Sequence, residues 1–308
     1  AGPTAELLHA GFVINDPRQR WVVSRTPAMS PAFAIAEVVW ILTASNDLPF
    51  LQYWAPVFAK YSDDGKILHG AYGRRLRVHH GMDQLQRAYD TLRQLPDSRQ
   101  VVLQIWDAKA DIPRLNGSPA SKDVPCNVQS LLKLRDGKLE WMQIIRSNDM
   151  FLGVPHNFVQ FTSLQEIVAG WLGVPLGSYN QISDSLHVYD KHRSAVAASV
   201  DVQAAENRDS LAVPKEESEQ LFQELRRRGD ELISADLTKA QIYQIAKWSA
   251  PDSFRNLLLI LIAESSRRRK WNDEAATASS EISNPVLRQL WERWLALKQK
   301  GVVGSSFS

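Results

Sequence analysis

The chain of 308 residues contains 44% hydrophobic and 23% charged residues, a composition typical of a globular protein with a sizeable core. Its formal net charge of +2 argues against an electrostatic nucleic-acid binder, and its most apolar segment, residues 257–263, is too short to span a bilayer. A single cysteine excludes an internal disulfide, and residues 1–12 lack the layout of a signal peptide, so we expect a cytoplasmic protein with no nucleic-acid or membrane partner.

The first predicted helix lies in the segment "SPAFAIAEVVWILTAS", with Ser30 and Pro31 as cap and first-turn residues. Glu37 falls inside the apolar part of this helix. A helical carboxylate is usually solvated, and a buried one needs a partner. Glu37 is therefore either a surface residue or a buried carboxyl with a function.

A second helix is predicted to end near Pro96, and a strand, "RQVVLQIWDA", follows it. The next segment, "KADIPRLNGSPASKD", is rich in Pro, Gly and Ser and predicts a loop. This loop leads directly to the single cysteine, Cys126.

A β-hairpin is predicted from the segment "NVQSLLKLRDGKLEWMQIIRSND", in which Asp136-Gly137 separates two strand-like runs. If these two residues form the turn, Cys126 faces Ser147 and neighbours Arg146. A guanidinium beside a thiol favours the reactive thiolate. A bulge in either strand would change this register.

The chain then continues as a long helix that is predicted to end near Gly173 and as a strand that places His187 and Tyr189 on one face. From about residue 200 onward, charged helices alternate with the apolar segment "NLLLILIAE". We expect one domain over residues 1–300 and a flexible C-terminal tail over residues 301–308.

The single cysteine has two interpretations. A lone cysteine is most often a small buried hydrophobic residue. Its position after a proline at the end of a loop, its predicted arginine neighbour and a polar cluster downstream favour a nucleophile instead. A Cys–His hydrolase built from Cys126 and His187 is compatible with the spacing, although no oxyanion-hole signature accompanies it. The downstream cluster consists of Arg146, Ser147, Asp149, Asn157, Ser185, His187 and Tyr189.

Six motifs, in their order and spacing, resemble the thymidylate synthase superfamily, which includes the pyrimidine nucleotide hydroxymethylases. The resemblance extends over about residues 15–195 and is weak in the C-terminal third. It implies an α/β (α+β) fold with a large mixed sheet flanked by helices, and a homodimer that pairs its sheets and shares its active sites. The motifs are "AIAEVVWIL", "GAYGRRLR", "DSRQVVLQIWD", "VPCN", "RSNDMFLGVPHN" and "SDSLHVYDKH".

The resemblance also implies chemistry for three residues. Cys126 is the nucleophile that adds to ring carbon 6 of a pyrimidine, which makes ring carbon 5 able to attack the one-carbon unit of methylenetetrahydrofolate. Glu37 organises water and assists proton movement, and Tyr72 helps the proton leave ring carbon 5. No metal is implied.

The remaining implied roles are in ligand binding. The nucleotide phosphate is assigned to Arg18, Arg146 and Ser147, and to Arg99 donated across the dimer interface. Asn157 reads the base edge, whereas His187 and Tyr189 bind the sugar hydroxyl. The folate side of the site is assigned to Asp149, Phe58 and Tyr61.

Several departures from the synthase pattern concern the product. Phe58 and Tyr61 stand where synthases have two tryptophans, and the last residues do not resemble the synthase's closing segment. Asn127 replaces a histidine, and Ile145 replaces a glutamine. These departures favour a hydroxymethylase acting on a cytidine nucleotide, CMP or dCMP, over a thymidylate synthase methylating dUMP. An inactive relative that only binds nucleotide or RNA is the third alternative.

Overall fold

The computed structural model describes residues 2–199 and 202–299, so the predicted tail over residues 301–308 lies outside the described residues. Within them, five strands form one mixed sheet in the order β1-β5-β4-β3-β2. The β4–β5 pair is parallel, and the other pairs are antiparallel. The strands are β1 (Thr4–Ile14), β2 (Val102–Gln104), β3 (Asn127–Arg135), β4 (Lys138–Asp149) and β5 (Leu176–Tyr189).

The β3–β4 hairpin forms at the predicted turn. Asp136 and Gly137 both have positive φ, 51° and 72°, as a two-residue turn of this kind requires. The register is regular until a bulge between Asn127 and Gln129. This bulge moves Cys126 opposite Arg146, whose amide N–H donates to the Cys126 carbonyl at 2.9 Å. The predicted pairing of Cys126 with Ser147 is therefore wrong by one residue, and the predicted arginine neighbour is confirmed.

The first helix, α1 (Pro31–Leu42), begins as predicted, because the Ser30 hydroxyl accepts a hydrogen bond from the Phe33 amide at 3.2 Å. Every residue of α1 is buried. The other α-helices are α2 (Leu48–Trp54), α3 (Tyr72–Arg74), α4 (Gln84–Gln94), α5 (Ala108–Asp111), α6 (Gly153–Leu172), α7 (Asp190–Ala197), α8 (Lys215–Ile233), α9 (Lys239–Ala246), α10 (Asp252–Arg268), α11 (Asn272–Ser280) and α12 (Pro285–Gln299).

Helix α6 covers one face of the sheet and contacts β4 and β5. Helix α1 packs between α6, α8 and α10, which explains why it has no exposed face. The buried apolar residues of the C-terminal helices belong to the same core as those of α1 and the sheet. None of the helices in the described ranges combines the length and apolar character that crossing a membrane requires.

The other face of the sheet is open. One row of neighbouring residues crosses all five strands through Val13, Asn180, Met142, Leu131 and Val102. Val13 and Val102 in this row are exposed apolar side chains. An apolar sheet face that no helix within the described residues covers is a typical protein–protein contact surface.

Candidate active site

A cavity of about 400 Å³ lies where α1, the loop before Cys126, the ends of β4 and β5 and the start of α6 meet. Its volume is within the range of small-molecule sites. Every predicted site residue lines it except the three arginines. The lining residues discussed below are Phe33, Glu37, Phe58, Tyr61, Tyr72, Asp123, Cys126, Ser147, Asn148, Asp149, His156, Asn157, His187 and Tyr189.

Cys126 faces this cavity next to a guanidinium. Arg146 Nε and Nη2 donate to the carbonyls of Pro125 and Val124 at 2.9 and 3.1 Å, so this side chain holds the loop that carries the thiol. Burial raises the pKa of Cys126, the Arg146 charge lowers it, and the Asp123 carboxylate raises it, with a net rise. The predicted effect of Arg146 on the thiolate is present, and burial outweighs it.

Two other predicted arginines lie away from the cavity. Arg18 is at the surface, where its Nε is 3.3 Å from Asp16 Oδ1, and Asn207 Nδ2 donates to its carbonyl at 2.7 Å. Arg99 is exposed just before β2. Their phosphate-binding roles stay predictions, and the role of Arg99 requires a second chain.

Glu37 is buried, and its carboxylate lies beside a histidine that the sequence did not indicate. His156 Nδ1 is 3.1 Å from Glu37 Oε2, and the His156 ring packs on Phe33 with centroids 4.9 Å apart. A buried carboxyl facing a cavity beside an imidazole can accept, hold and release a proton. The His156 ring from α6 thus lies at ion-pair distance from the carboxylate, whereas Glu37 Oε2 itself makes no hydrogen bond with any described residue.

Asn157 is buried at the cavity wall, and both ends of its amide are engaged. Its Oδ1 accepts from Asn127 Nδ2 at 3.1 Å, and its Nδ2 donates to Asn148 Oδ1 at 3.0 Å. Each end keeps one further hydrogen-bonding position. The side chain can therefore offer a donor and an acceptor to a ring edge.

Tyr72 and Asp123 lie on the cysteine side of the cavity. Burial raises the pKa of Tyr72 far above its ordinary value, whereas a hydrogen bond with the Asn127 side chain lowers it. Burial also raises the pKa of Asp123, although the Gly70 amide donates to its Oδ2 at 2.7 Å and favours the charged form. Asp123, which none of the quoted motifs contains, places a second carboxyl group near the thiol.

Asp149 ends β4 and caps the turn before α6, because its Oδ1 accepts from the Phe151 and Leu152 amides at 2.7 and 2.8 Å. Its Oδ2 is buried and makes no hydrogen bond with any described residue. A buried carboxylate oxygen at a cavity wall needs a donor. A ligand with N–H groups would supply such a donor.

Aromatic side chains form the opposite wall. The Phe33 and Phe58 centroids are 5.2 Å apart, and the Phe58 and Tyr61 centroids are 5.8 Å apart. Such a wall can stack a planar ring. The role of this wall and of Asp149 in folate binding stays a prediction.

The geometry predicted for His187 and Tyr189 is confirmed, whereas their sugar-binding role stays a prediction. His187 and Tyr189 share one face of β5, with ring centroids 5.4 Å apart, and both line the cavity. Ser147 is beside Ser185 in the parallel β4–β5 pairing. Their proposed ligands, the sugar and the phosphate, are consistent with these positions.

A group of possible metal ligands lies outside this cavity. Among the residues that the structure describes, His79, His80 and Asp107 have donor atoms within 4.8 Å of one another. Arg75 Nη1 lies 3.3 Å from His79 Nε2. This group thus already has a cationic neighbour.

The family model described as "Thymidylate synthase" matches residues 18–230 of the chain, which is more than half of its length. The chain belongs to the thymidylate synthase family. A relative from Bacillus phage SP01, named deoxyuridylate hydroxymethyltransferase, is 30% identical over 322 residues, covering 91% of this chain and 83% of that protein. A relative of the same name from Pseudomonas phage M6 is 38% identical over 177 residues, covering 57% of this chain and 49% of that protein.

Solved structures of the thymidylate synthase family show the same fold. Thermostable thymidylate synthase A from Bacillus subtilis superposes with a TM-score of 0.53 at 25% identity, covering 66% of this chain and 73% of that chain. Thymidylate synthase from T4 phage gives a TM-score of 0.52 at 22% identity, covering 66% of this chain and 74% of that chain. The predicted α/β fold with a mixed sheet is confirmed.

Membership of this family makes the protein a one-carbon transferase, an enzyme that modifies a pyrimidine nucleotide at ring carbon 5 with methylenetetrahydrofolate as cosubstrate. Sequence reasoning missed His156, Asp123 and Asn148, which complete the cavity. His156 and Asn148 both lie within the quoted motif "RSNDMFLGVPHN", directly beside predicted site residues, and that neighbourhood was the available signal for both. The position of Asp123 depends on the path of the loop before Cys126.

Proposed function

We propose that the enzyme hydroxymethylates ring carbon 5 of a pyrimidine nucleoside 5′-monophosphate, with dUMP as the first candidate substrate. The observation that carries this proposal is the convergence of Cys126, Glu37 and Asn157 on one cavity. The base and the product are suggested by relatives named deoxyuridylate hydroxymethyltransferase. The cytidine preference predicted from the sequence is not confirmed by these relatives.

In the proposed reaction, the Cys126 thiolate adds to ring carbon 6 and forms a carbon–sulfur bond. The electron pair displaced from the ring double bond makes ring carbon 5 a nucleophile, to which methylenetetrahydrofolate supplies the one-carbon unit. The proton on ring carbon 5 then leaves with the help of Tyr72, and the bond between the one-carbon unit and the folate nitrogen breaks, which releases tetrahydrofolate and leaves an exocyclic methylene on the ring. Water adds to the exocyclic carbon, and expulsion of the thiolate restores the ring double bond.

Glu37 and His156 are proposed to handle the water and the protons. Their side chains are 3.1 Å apart at the cavity wall, where a carboxylate and an imidazole can share and transfer a proton. The buried position excludes bulk water, so this pair controls which water reaches the exocyclic carbon. Phe58 in place of a synthase tryptophan leaves room for that water.

The nucleotide phosphate is proposed to bind Arg146 and Ser147 from β4, with Arg18 closing over it. Arg146 Nη1 makes no hydrogen bond with any described residue, and arginine is well suited to phosphate. Arg99 would reach the partner's phosphate in a homodimer formed through the open sheet face. We propose that residues 1–300 form this one catalytic domain.

A second candidate is thymidylate synthase itself, which the family model and the fold neighbours favour. In that reaction, hydride reduces the exocyclic carbon instead of water adding to it. The two reactions share every step up to that point. The residues around Cys126 support both.

Release of tritium from ring carbon 5 tests the nucleophile and the base together. Labelled dUMP, UMP, dCMP and CMP are each incubated with methylenetetrahydrofolate, and the proposal predicts the fastest release from dUMP. A Cys126→Ala variant is expected to abolish release, because no carbon–sulfur bond can form. Undiminished release by Cys126→Ala contradicts the mechanism, and faster release from dCMP contradicts the proposed base.

A further inference from the structure

The Asn157 amide is one member of a buried chain of hydrogen bonds that continues into the sheet. Trp141 Nε1 donates to Gln143 Oε1 at 3.2 Å, and Gln143 Nε2 donates to Asn127 Oδ1 at 2.9 Å. Asn127 Nδ2 then donates to Asn157 Oδ1 at 3.1 Å. Trp141, Gln143 and Asn127 are at most 1% exposed, so water cannot replace these partners.

Beyond Asn157 the chain of hydrogen bonds continues with the same donor-to-acceptor direction. Asn157 Nδ2 donates to Asn148 Oδ1 at 3.0 Å, and Asn148 Nδ2 donates to Ser183 Oγ at 2.9 Å. Each amide donates one hydrogen bond from its nitrogen to the next member and accepts one at its oxygen from the preceding member, and Gln143 Oε1 also accepts from the Ser130 hydroxyl at 2.5 Å. The whole chain is therefore polarised from Trp141 towards Ser183.

The direction has one fixed end. Carboxamides can reverse by a half-turn, and the hydroxyls of Ser130 and Ser183 can each donate or accept, so none of these groups sets a direction. The indole N–H of Trp141 can only donate. Gln143 must therefore present its oxygen to Trp141, and this choice determines the orientation of Asn127 and then of Asn157.

We propose that Trp141, Gln143 and Asn127 are positioning residues that hold the Asn157 amide in one orientation and so let the cavity select one pyrimidine base. This inference rests on the proposed function, in which Asn157 reads the base edge. Uracil presents an N–H donor and a carbonyl acceptor where cytosine presents a ring-nitrogen acceptor and an amino donor. One amide orientation therefore fits one base, and the reversed orientation fits the other.

Reversal of the Asn157 amide alone is unfavourable in this chain of hydrogen bonds. It would turn its N–H groups towards the N–H groups of Asn127 and its oxygen towards the oxygen of Asn148. Buried polar groups left facing like groups lose their hydrogen bonds without gaining water. Relief would require Asn127 and Gln143 to reverse as well, and the Trp141 N–H would then face an N–H group.

The decisive variant is Trp141→Phe, which removes the indole N–H and keeps an aromatic ring in the core. The measurement is kcat/KM for dUMP and for dCMP, with the thermal unfolding midpoint as a check on folding. The ratio of the two kcat/KM values is expected to fall at least about tenfold, which corresponds to roughly one buried hydrogen bond. The kcat/KM for the preferred base is expected to fall less than the ratio does.

Trp294→Phe is the matched control. Its indole N–H donates to the Glu264 carboxylate at 3.0 Å in a buried setting outside the cavity, so the same substitution removes a buried indole hydrogen bond that is at least as strong. The base ratio is expected to stay at the wild-type value. Gln143→Met provides a second test if Trp141→Phe does not fold, because it breaks the chain at the next link and should lower the ratio similarly.

The outcomes separate this inference from the proposed function. An unchanged base ratio in a folded Trp141→Phe or Gln143→Met enzyme overturns the inference, as does an equal loss of activity on both bases. A wild-type preference for dCMP overturns the proposed base. In that case, a weaker preference for dCMP in Trp141→Phe still supports the inference, and an unchanged preference contradicts it.

Discussion

Replacing Arg146 by methionine separates the two effects of one guanidinium on the cysteine loop. Two hydrogen bonds, of 2.9 and 3.1 Å, join it to the carbonyls of Pro125 and Val124. A hydrogen bond from a charged donor contributes about 1.5–3 kcal/mol, so both together contribute about 3–6 kcal/mol at most. Because Arg146 is only partly buried, solvent reduces this value, and we expect Arg146→Met to lower the free energy of unfolding by roughly 2–4 kcal/mol.

The same substitution also removes a positive charge from the thiol. Burial already raises the pKa of Cys126, and Arg146 opposes that rise, so Arg146→Met should raise this pKa further. Cys126 is the only cysteine in the chain, and the rate of alkylation by iodoacetamide therefore reports on this thiol alone. We expect the rate–pH profile to shift to higher pH and alkylation at neutral pH to slow.

Two variants complete this experiment. Arg146→Lys keeps the charge without the two-pronged contact, so its alkylation profile should lie close to that of the wild type while its stability falls. Arg135→Met, at the far end of the hairpin, should change neither the alkylation profile nor the pKa of Cys126. An unshifted profile in Arg146→Met would refute the claim that this guanidinium stabilises the thiolate.

Three further predictions follow from the cavity and the sheet. Glu37→Gln should lower kcat by about 10²–10⁴-fold with little change in nucleotide affinity. Calorimetric binding measurements and single-turnover rates check this prediction. A kcat near the wild-type value argues against the proton-transfer role. Phe58→Trp should raise the ratio of methyl to hydroxymethyl product measured by mass spectrometry, because a larger ring excludes water from the exocyclic carbon. An unchanged ratio argues against this role of the ring. Ile182→Glu on the open sheet face should shift the sedimentation coefficient to that of a monomer and reduce activity, whereas Leu95→Glu, at a more exposed site away from the sheet, should not. A dimeric Ile182→Glu protein contradicts the proposed interface.

Local patterns were sufficient for much of the fold. The Asp136-Gly137 turn, the Ser30 cap and the end of α6 at Gly173 all form where the sequence predicts them. Each depends on residues close together in the chain, whose backbone preferences act locally. The bulge at the start of β3 has no comparable signature, and it shifts the partner of Cys126 by one residue.

The polar support of the site was harder to predict. Gln143 and Trp141 lie two residues apart on β4 and reach Asn157 only through Asn127 on the neighbouring strand. Such a chain depends on strand register and side-chain direction, neither of which is encoded in a motif. The pairing of His156 with Glu37 likewise requires the packing of α6 against α1, which only the tertiary structure supplies.

The mass of the nucleotide product is the most direct test of the proposed function. The purified enzyme is incubated with dUMP and methylenetetrahydrofolate, with Cys126→Ala as the control, and the nucleotide and folate products are identified by mass spectrometry. Our account predicts 5-hydroxymethyl-dUMP with tetrahydrofolate, and no product from Cys126→Ala. A methyl product accompanied by dihydrofolate would contradict it and identify the enzyme as a synthase.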